Sequence, residues 1–312
     1  MCKLSLRLQN ILKNKTVITT GDVNGIGAEV TIKALNVLRP ENVVLISNRK
    51  ILDFYGGLDF DCEIIEIPYE SQILCGDVTK ESGEFAFQAV KKACELHPRA
   101  IVTAPISKEA IQLAGHNFDG HTEILEYYLA HDDQRAEMLF VAGEFRVLLL
   151  TRHCALRDIN ITKDLIIEKI SRLVQGLKQA NPNLALCGLN PHAGENGVLG
   201  KEENDIIIPA VIELRNRGID ISLPQPSDTL FIGAADAFSR GQKPPYDCYV
   251  AMYHDQGLIP MKVIAGKRAV NVTIGLDVLR TSPCHGTAFD IAGKNIADPA
   301  SMIEAIKLAQ TY

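Results

Sequence analysis

The sequence predicts an α/β protein. Short apolar runs of strand length recur along the chain and alternate with longer stretches whose apolar residues fall at helical spacing. The runs are apolar nearly throughout, the pattern of strands buried on both faces of a parallel sheet. Three of them end just before a histidine, and ligands in open parallel sheets bind past the carboxyl ends of the strands.

Strands are expected at residues 16–20, 43–47, 63–67, 100–103, 137–142, 147–151, 184–189, 249–252 and 269–273. Helices are expected between them, most clearly at 82–96, 163–180 and 201–217. The last keeps its apolar spacing to Arg217 and meets a stop signal in Gly218. The basic, weakly amphipathic start (residues 1–15) reads as a short helix or a frayed end. It has neither the apolar centre nor the small-residue cleavage site of a secretory signal. No internal repeat or low-complexity linker interrupts the chain.

A length of 312 residues suits two lobes or one large α/β unit, and 46% hydrophobic with 22% charged residues is ordinary for a soluble globular protein. No apolar run is long enough to span a bilayer. The net charge of −6, without a basic cluster, argues against nucleic acid as a partner. An anionic substrate would therefore need its own local cations. The eight cysteines form no C-x-x-C pair, and Cys94, Cys187 and Cys248 sit in apolar or helical stretches. That usage fits a reducing cytoplasm rather than a disulfide framework.

His153 follows the run 147–150, His192 the run 184–189 and His254 the run 248–252. One histidine in such a place usually packs or caps. Three delivered to one sheet edge make a plausible divalent-metal site with open positions. His97, His116 and His131 lie in ordinary helix-end, loop and acidic contexts and are expected to be structural. The stretch from Thr20 to Glu29 follows a strand and opens a helix, but Val30 stands where a dinucleotide fingerprint needs a third Gly or Ala. The second strand ends in Ser47-Asn48-Arg49, without an acidic ribose partner. A structural glycine turn is the better reading.

Four further segments carry chemistry. In Gly120-His121-Thr122-Glu123, Thr122 is a candidate N-cap, and His121 with that hydroxyl at a helix start suits an anion. In 190–197 a rigid turn holds His192, and Glu195 is an acceptor for its ring N–H. Tyr253-His254-Asp255-Gln256, with Lys262 nearby, places four polar side chains after a strand, which is costly unless they have partners. Residues 280–294 read as a loop rich in turn formers and hydroxyls that cradles an anion or a nucleotide, with Arg280 suited to bidentate recognition.

Taken together, these segments resemble the 4-hydroxythreonine-4-phosphate dehydrogenase family of vitamin B6 biosynthesis. The resemblance runs over residues 19–299, most specifically in GHTE (120–123), NPHAGENG (190–197), YHDQGLIPMK (253–262) and RTSPCHGTAFDIAGK (280–294). The last string is also similar to the cofactor loop of the isocitrate and isopropylmalate dehydrogenases. The resemblance implies their two-lobed α/β/α fold, with the active site in the cleft between lobes, and so a nicotinamide enzyme without a Rossmann fingerprint. We place an outer lobe at 1–123 with 280–312 and a metal-binding, dimerisation lobe at 124–279. The resemblance implies a homodimer that binds one divalent cation (Zn, Mg, Mn or Co) per active site through His153, His192 and His254, shared across the subunit interface. It implies substrate contacts at His121, Thr122, Lys262, Asn271 and Arg280, and NAD or NADP near Gly286, Thr287, Ala288 and Asp290, where Asp290 tilts the choice towards NAD. Asp255 and Lys262 are the catalytic candidates, Asp255 either as general base or as the group orienting His254.

The implied reaction oxidises 4-phosphooxy-L-threonine to 2-amino-3-oxo-4-phosphooxybutanoate, which loses CO₂ to give 3-amino-2-oxopropyl phosphate. The alternative is a sister dehydrogenase for another four-carbon phosphorylated acid, phospho-threonate or phospho-erythronate. The sequence departs from the family where Val23 and Ala28 replace usual prolines and Cys284 replaces a common acidic residue.

Overall fold

The computed structural model describes residues 13–132, 134–177 and 179–311. The segment 1–12, most of the expected N-terminal helix or frayed end, lies outside them. In chain order the strands are β1 (Thr16–Thr19), β2 (Val43–Ser47), β3 (Glu63–Glu66), β4 (Ala100–Thr103), β5 (Glu137–Ala142), β6 (Phe145–Leu149), β7 (Leu184–Leu186), β8 (Cys248–Ala251), β9 (Val270–Ile274) and β10 (Leu279–Pro283). The first nine lie where the apolar runs predict them. β10 is a correction: its polar residues read as the start of a loop, yet it lies between β4 and β9 with Leu279, Arg280, Thr281 and Ser282 all buried. Ladder hydrogen bonds to both neighbours, rather than its own hydrophobicity, make it a strand.

The chain forms two compact units. One runs to Ala136 and resumes at Val270; the other is Glu137–Ala269. These bounds differ from the lobe limits expected at 123/124 and 279/280, for a packing reason. The helix His121–Leu129 buries Ile124, Leu125 and Leu129 in the first unit's core with Phe87 and Val90, and β9 pairs with β10.

In the first unit the strand order is β3-β2-β1-β4-β10-β9, parallel except for β9. β1, β2 and β4 are buried along their whole length. Their Val and Ile side chains, each worth about 1.5–3 kcal/mol when fully buried, meet Phe87, Val90 and Ala93 of the helix Lys80–Glu95. Thr79 starts that helix by accepting the Ser82 N–H, satisfying one free donor of its first turn.

In the second unit β5 and β6 form a hairpin that turns at Gly143 (φ 58°), and β6, β8 and β7 run parallel. The helix Lys163–Gly176, capped by Thr162, sets Lys169 and Arg172 on the buried Glu137 at 2.6 and 2.8 Å, so that this carboxylate is paired. The helix expected at 201–217 starts as a π-helical turn, Glu203–Ile207, and continues as Ile208–Asn216; Gly218 (φ 83°) ends it. Among the described residues no two cysteines form a disulfide. Among the described residues no helix is long and apolar enough to cross a membrane.

Candidate active site

Because β6, β8 and β7 are parallel, their carboxyl ends open on one edge of the second unit. His153 follows β6 and His254 follows β8. They share a pocket of ≈ 280 Å³ with Arg152, Leu156, Tyr253 and Asp255. Their ring centroids are 5.4 Å apart. His254 Nδ1 is 2.7 Å from Asp255 Oδ1. A carboxylate there favours the Nδ1–H tautomer and leaves the lone pair of Nε2 free to act as a donor.

His192 follows β7. Its Nδ1 lies 3.0 Å from Glu195 Oε1, and that carboxylate raises the ring's pKa. The ring is 62% exposed and is not drawn to the other two. Among the described residues no three His, Cys, Asp or Glu side chains converge as a cation cage. One chain therefore assembles a pair of imidazoles and offers a third separately. Imidazole donors with carboxylate-backed Nδ1 atoms fit a borderline divalent cation.

The turn bearing His192 has an unusual backbone. His192, Ala193, Gly194, Glu195 and Asn196 have φ of 53°, 52°, 78°, 44° and 55°, a run of left-handed residues. A left-handed conformation costs about 1–2 kcal/mol per non-glycine residue, so something must hold this segment. One residue that carried no role in the sequence reading does so, and Gln256, one of the four polar side chains noted after β8, joins the neighbouring strand exits. Glu203, only 2% exposed, accepts the backbone N–H groups of Leu189 and Asn190, each at 2.8 Å, and Asn190 Nδ2 at 2.9 Å. Gln256 accepts the Met252 N–H and donates to Gly188 O and Ser227 Oγ, tying the exit of β8 to the exit of β7. The Glu202-Glu203 pair looks like solvated helix start in sequence, so the signal for Glu203 was weak. Lys262 is exposed on the helix His254–Ala265, seven residues beyond Asp255. That is about two turns, or ~10 Å along the axis, so the two catalytic candidates are not in hydrogen-bond contact.

The first unit holds a different kind of site. Arg280 is 3% exposed, and its Nε and Nη2 donate to Thr103 Oγ1 at 2.9 and 2.7 Å. Among the described residues no carboxylate lies at ion-pair distance from it. Burial pulls its pKa down to about 9, against the nearby Cys284 and Glu123, which leaves it charged at neutral pH. Antiparallel pairing sets Ser282 opposite Asn271 and Arg280 opposite Thr273, which puts Arg280 and Asn271 on one face. Asn271 Oδ1 and His121 Nε2 are buried without partners. Burial, and then the Arg280 charge, hold the His121 pKa well below its ordinary value, so its ring is neutral. Thr122 is buried in the first turn of its helix rather than capping it; the cap position is Gly120, with no side-chain cap bond.

Beyond β10, Gly286, Thr287 and Ala288 form a loop that leads into the 3₁₀ turn Phe289–Ile291, which carries Asp290. Ala288 is left-handed (φ 42°), and Lys294 Nζ donates to Asp290 O at 2.7 Å. The glycine turn after β1 docks here: Ile26 N donates to Thr287 O at 2.9 Å, and a Cβ on Gly25 would lie 2.9 Å from that oxygen. The glycines thus permit backbone contact between two loops, as a structural turn would. Asp22 in that turn is wholly buried and accepts from Asn24 N and Ser82 Oγ; burial pushes its pKa up to about 6. His116 is structural, stacked on Phe87 and 2.7 Å from Glu84 Oε2.

Comparison with known proteins shows what the whole chain is similar to. A family model described as pyridoxal phosphate biosynthetic protein PdxA matches residues 13–309. A 4-hydroxythreonine-4-phosphate dehydrogenase of Sulfurihydrogenibium sp. is 41% identical over 95% of this chain and 97% of its own. A D-threonate 4-phosphate dehydrogenase of Cupriavidus necator is 40% identical over 93% and 94%. The crystal structure of a 4-hydroxythreonine-4-phosphate dehydrogenase from Klebsiella pneumoniae superposes with a TM-score of 0.83 at 34% identity, covering 96% of this chain and 99% of that one. A β-decarboxylating dehydrogenase from Thermococcus kodakarensis, at 16% identity and a TM-score of 0.52, shares the fold. The expected α/β fold is therefore the observed one.

Proposed function

The chain belongs to the pyridoxal phosphate biosynthetic protein PdxA family, an oxidoreductase family, and from that premise we propose that it oxidises the secondary alcohol of 4-phosphooxy-L-threonine with NAD or NADP. The 3-oxo acid formed then loses CO₂. The observation that carries an anionic substrate is Arg280, a buried guanidinium that among the described residues is bonded to a neutral hydroxyl and to no carboxylate. A buried cation without a counter-charge is costly, and a phosphate or carboxylate is the bidentate partner it is shaped for. His121 Nε2 and Asn271 Oδ1, also without partners, would bind the substrate's polar groups. Thr122 and Lys262 are proposed as further substrate contacts.

In the second unit, His153, His192 and His254 would hold the divalent cation, with a second copy of the chain completing the ligand set. The cation, when bound, supplies Lewis-acid charge that acidifies an alcohol and polarises the ketone made from it. Asp255, bonded to His254 Nδ1, is proposed to fix that ring, the second of the two roles considered for it. Gly286, Thr287, Ala288 and Asp290 are proposed to receive the nicotinamide nucleotide on a loop already seated against the glycine turn.

Relatives of nearly equal identity bear the two names 4-hydroxythreonine-4-phosphate dehydrogenase and D-threonate 4-phosphate dehydrogenase, so the phospho-threonate reading stands second. The test is NAD(P)H formation from 4-phosphooxy-L-threonine and from D-threonate 4-phosphate, with and without a chelator. Turnover of the first that chelation abolishes is expected. Turnover of the second alone selects the sister activity, and no turnover of either sinks both.

A further inference from the structure

We propose that Glu203 is a positioning residue for the metal site: its carboxylate holds the left-handed turn that presents His192. The inference rests on the metal role proposed for His192, and its observations are separate. Glu203 is the first residue of the π-helical turn Glu203–Ile207, and that carboxylate is buried. Both oxygens face the root of the His192 turn. Oε1 accepts from Leu189 N and Asn190 N, and Oε2 from Asn190 Nδ2. The turn closes over the same group: a Cβ on Gly194 would lie 2.6 Å from Glu203 Oε2.

The chemistry of this arrangement is specific. The Leu189 and Asn190 amides point away from any strand partner, and one anionic oxygen collects both. With those two amides fixed, the chain enters Pro191 in one direction, and the following left-handed residues place His192 at the sheet edge. A buried carboxylate is a demanding way to satisfy loop amides, since among the described residues no Lys or Arg pairs with it. A solvated loop would satisfy the same amides with water. What the carboxylate adds is a single geometry for a turn whose residues do not favour it.

The experiment uses the full chain with Co²⁺ alone as the probe. It compares the wild type, Glu203→Ala, Glu203→Gln and His192→Ala. Co²⁺ affinity is read by calorimetry and by the visible absorption of bound cobalt; amide hydrogen exchange is read at 189–196. Glu203→Ala is expected to weaken Co²⁺ binding roughly 10- to 100-fold, the range for losing a group that orients a ligand, and to speed exchange at Leu189 and Asn190. Glu203→Gln keeps one carbonyl oxygen for the two backbone N–H groups and should fall between Glu203→Ala and the wild type in both measurements. If Glu203→Ala fails to fold, the Gln variant decides alone: intermediate values support the role, wild-type values overturn it. Wild-type cobalt affinity in Glu203→Ala, with affinity lost in His192→Ala, overturns the role of Glu203 and leaves the metal site standing. If the wild type binds no Co²⁺, the metal reading fails. The exchange rates then decide on Glu203: wild-type protection in Glu203→Ala overturns it, and faster exchange upholds its hold on the turn.

Discussion

The two units solve opposite problems. In the first, a cation, a neutral imidazole and an amide oxygen are buried without their full complement of partners, on strands and a helix start that the core fixes in place. In the second, the imidazoles lie just past strand ends, those of His153 and His192 exposed and that of His254 partly so, and among the described residues only two of the three meet within one chain. Buried, unsatisfied groups are preorganised for a ligand that brings the opposite charge. Exposed groups on loops gain their geometry from neighbours such as Glu203 and, in the function proposed above, from a second subunit. The contrast teaches that, under the proposed function, one chain would complete its anion site while leaving its cation site to be finished by assembly.

The largest test of that contrast is His254→Ala. It should cut kcat by about 10³-fold or more, the scale of Lewis-acid stabilisation, with an unchanged unfolding midpoint because the ring is partly exposed. Full activity in that variant would break the second half of the comparison. Next comes Arg280→Ala, expected to raise KM for the phosphorylated substrate roughly 100-fold, the loss of a bidentate charge-assisted contact. Arg280→Lys should not restore it, since an ammonium lacks the planar fork. An unchanged KM would remove Arg280 from phosphate binding.

An effect of similar size, read in stability rather than activity, sharpens the account of the buried unit. Asp22 has a folded pKa raised to about 6 against 3.8, so the folded state holds a proton that the unfolded state has released between those values. Stability from this group is therefore present below about pH 4 and lost as pH rises through 6. Asp22→Asn should match the wild type near pH 4 and exceed it at pH 7 by up to about 3 kcal/mol in denaturant unfolding. A pH-independent difference would show that the carboxyl is not protonated where the burial argument says it is. His121 acts in the other direction. Its depressed pKa makes the unfolded chain bind the extra proton, so its contribution is lost as pH falls below 6.5. The smallest effect is that of Asp255→Asn, expected to weaken cation affinity about 10-fold by loosening the His254 tautomer, with substrate KM unmoved.

Much of this was legible in the sequence, for physical reasons. β1, β2, β4, β7 and β8 announce themselves because parallel strands buried along their length must be apolar, and the three histidines because strand ends in such sheets are ligand positions. β10 did not, since Arg280-Thr281-Ser282-Pro283 owes its conformation to β4 and β9. Pro283, without an N–H to give, stands at its end. The left-handed turn at 192–196 was also hidden. Its five residues contain a single glycine, so local propensity offers no warning, and the contacts that impose it come from Glu203, eleven positions after His192. Thr122 misled for a related reason: a hydroxyl near a helix start suggests a cap, but the helix begins one residue earlier.

The burial of the Arg280 guanidinium would, under the proposed function, bear on the protein's lifetime. An anion held there by the folded chain alone would lower the fraction that opens and is cut by proteases. Cells short of the proposed phosphorylated substrate would then hold less of this protein, with no change in its synthesis.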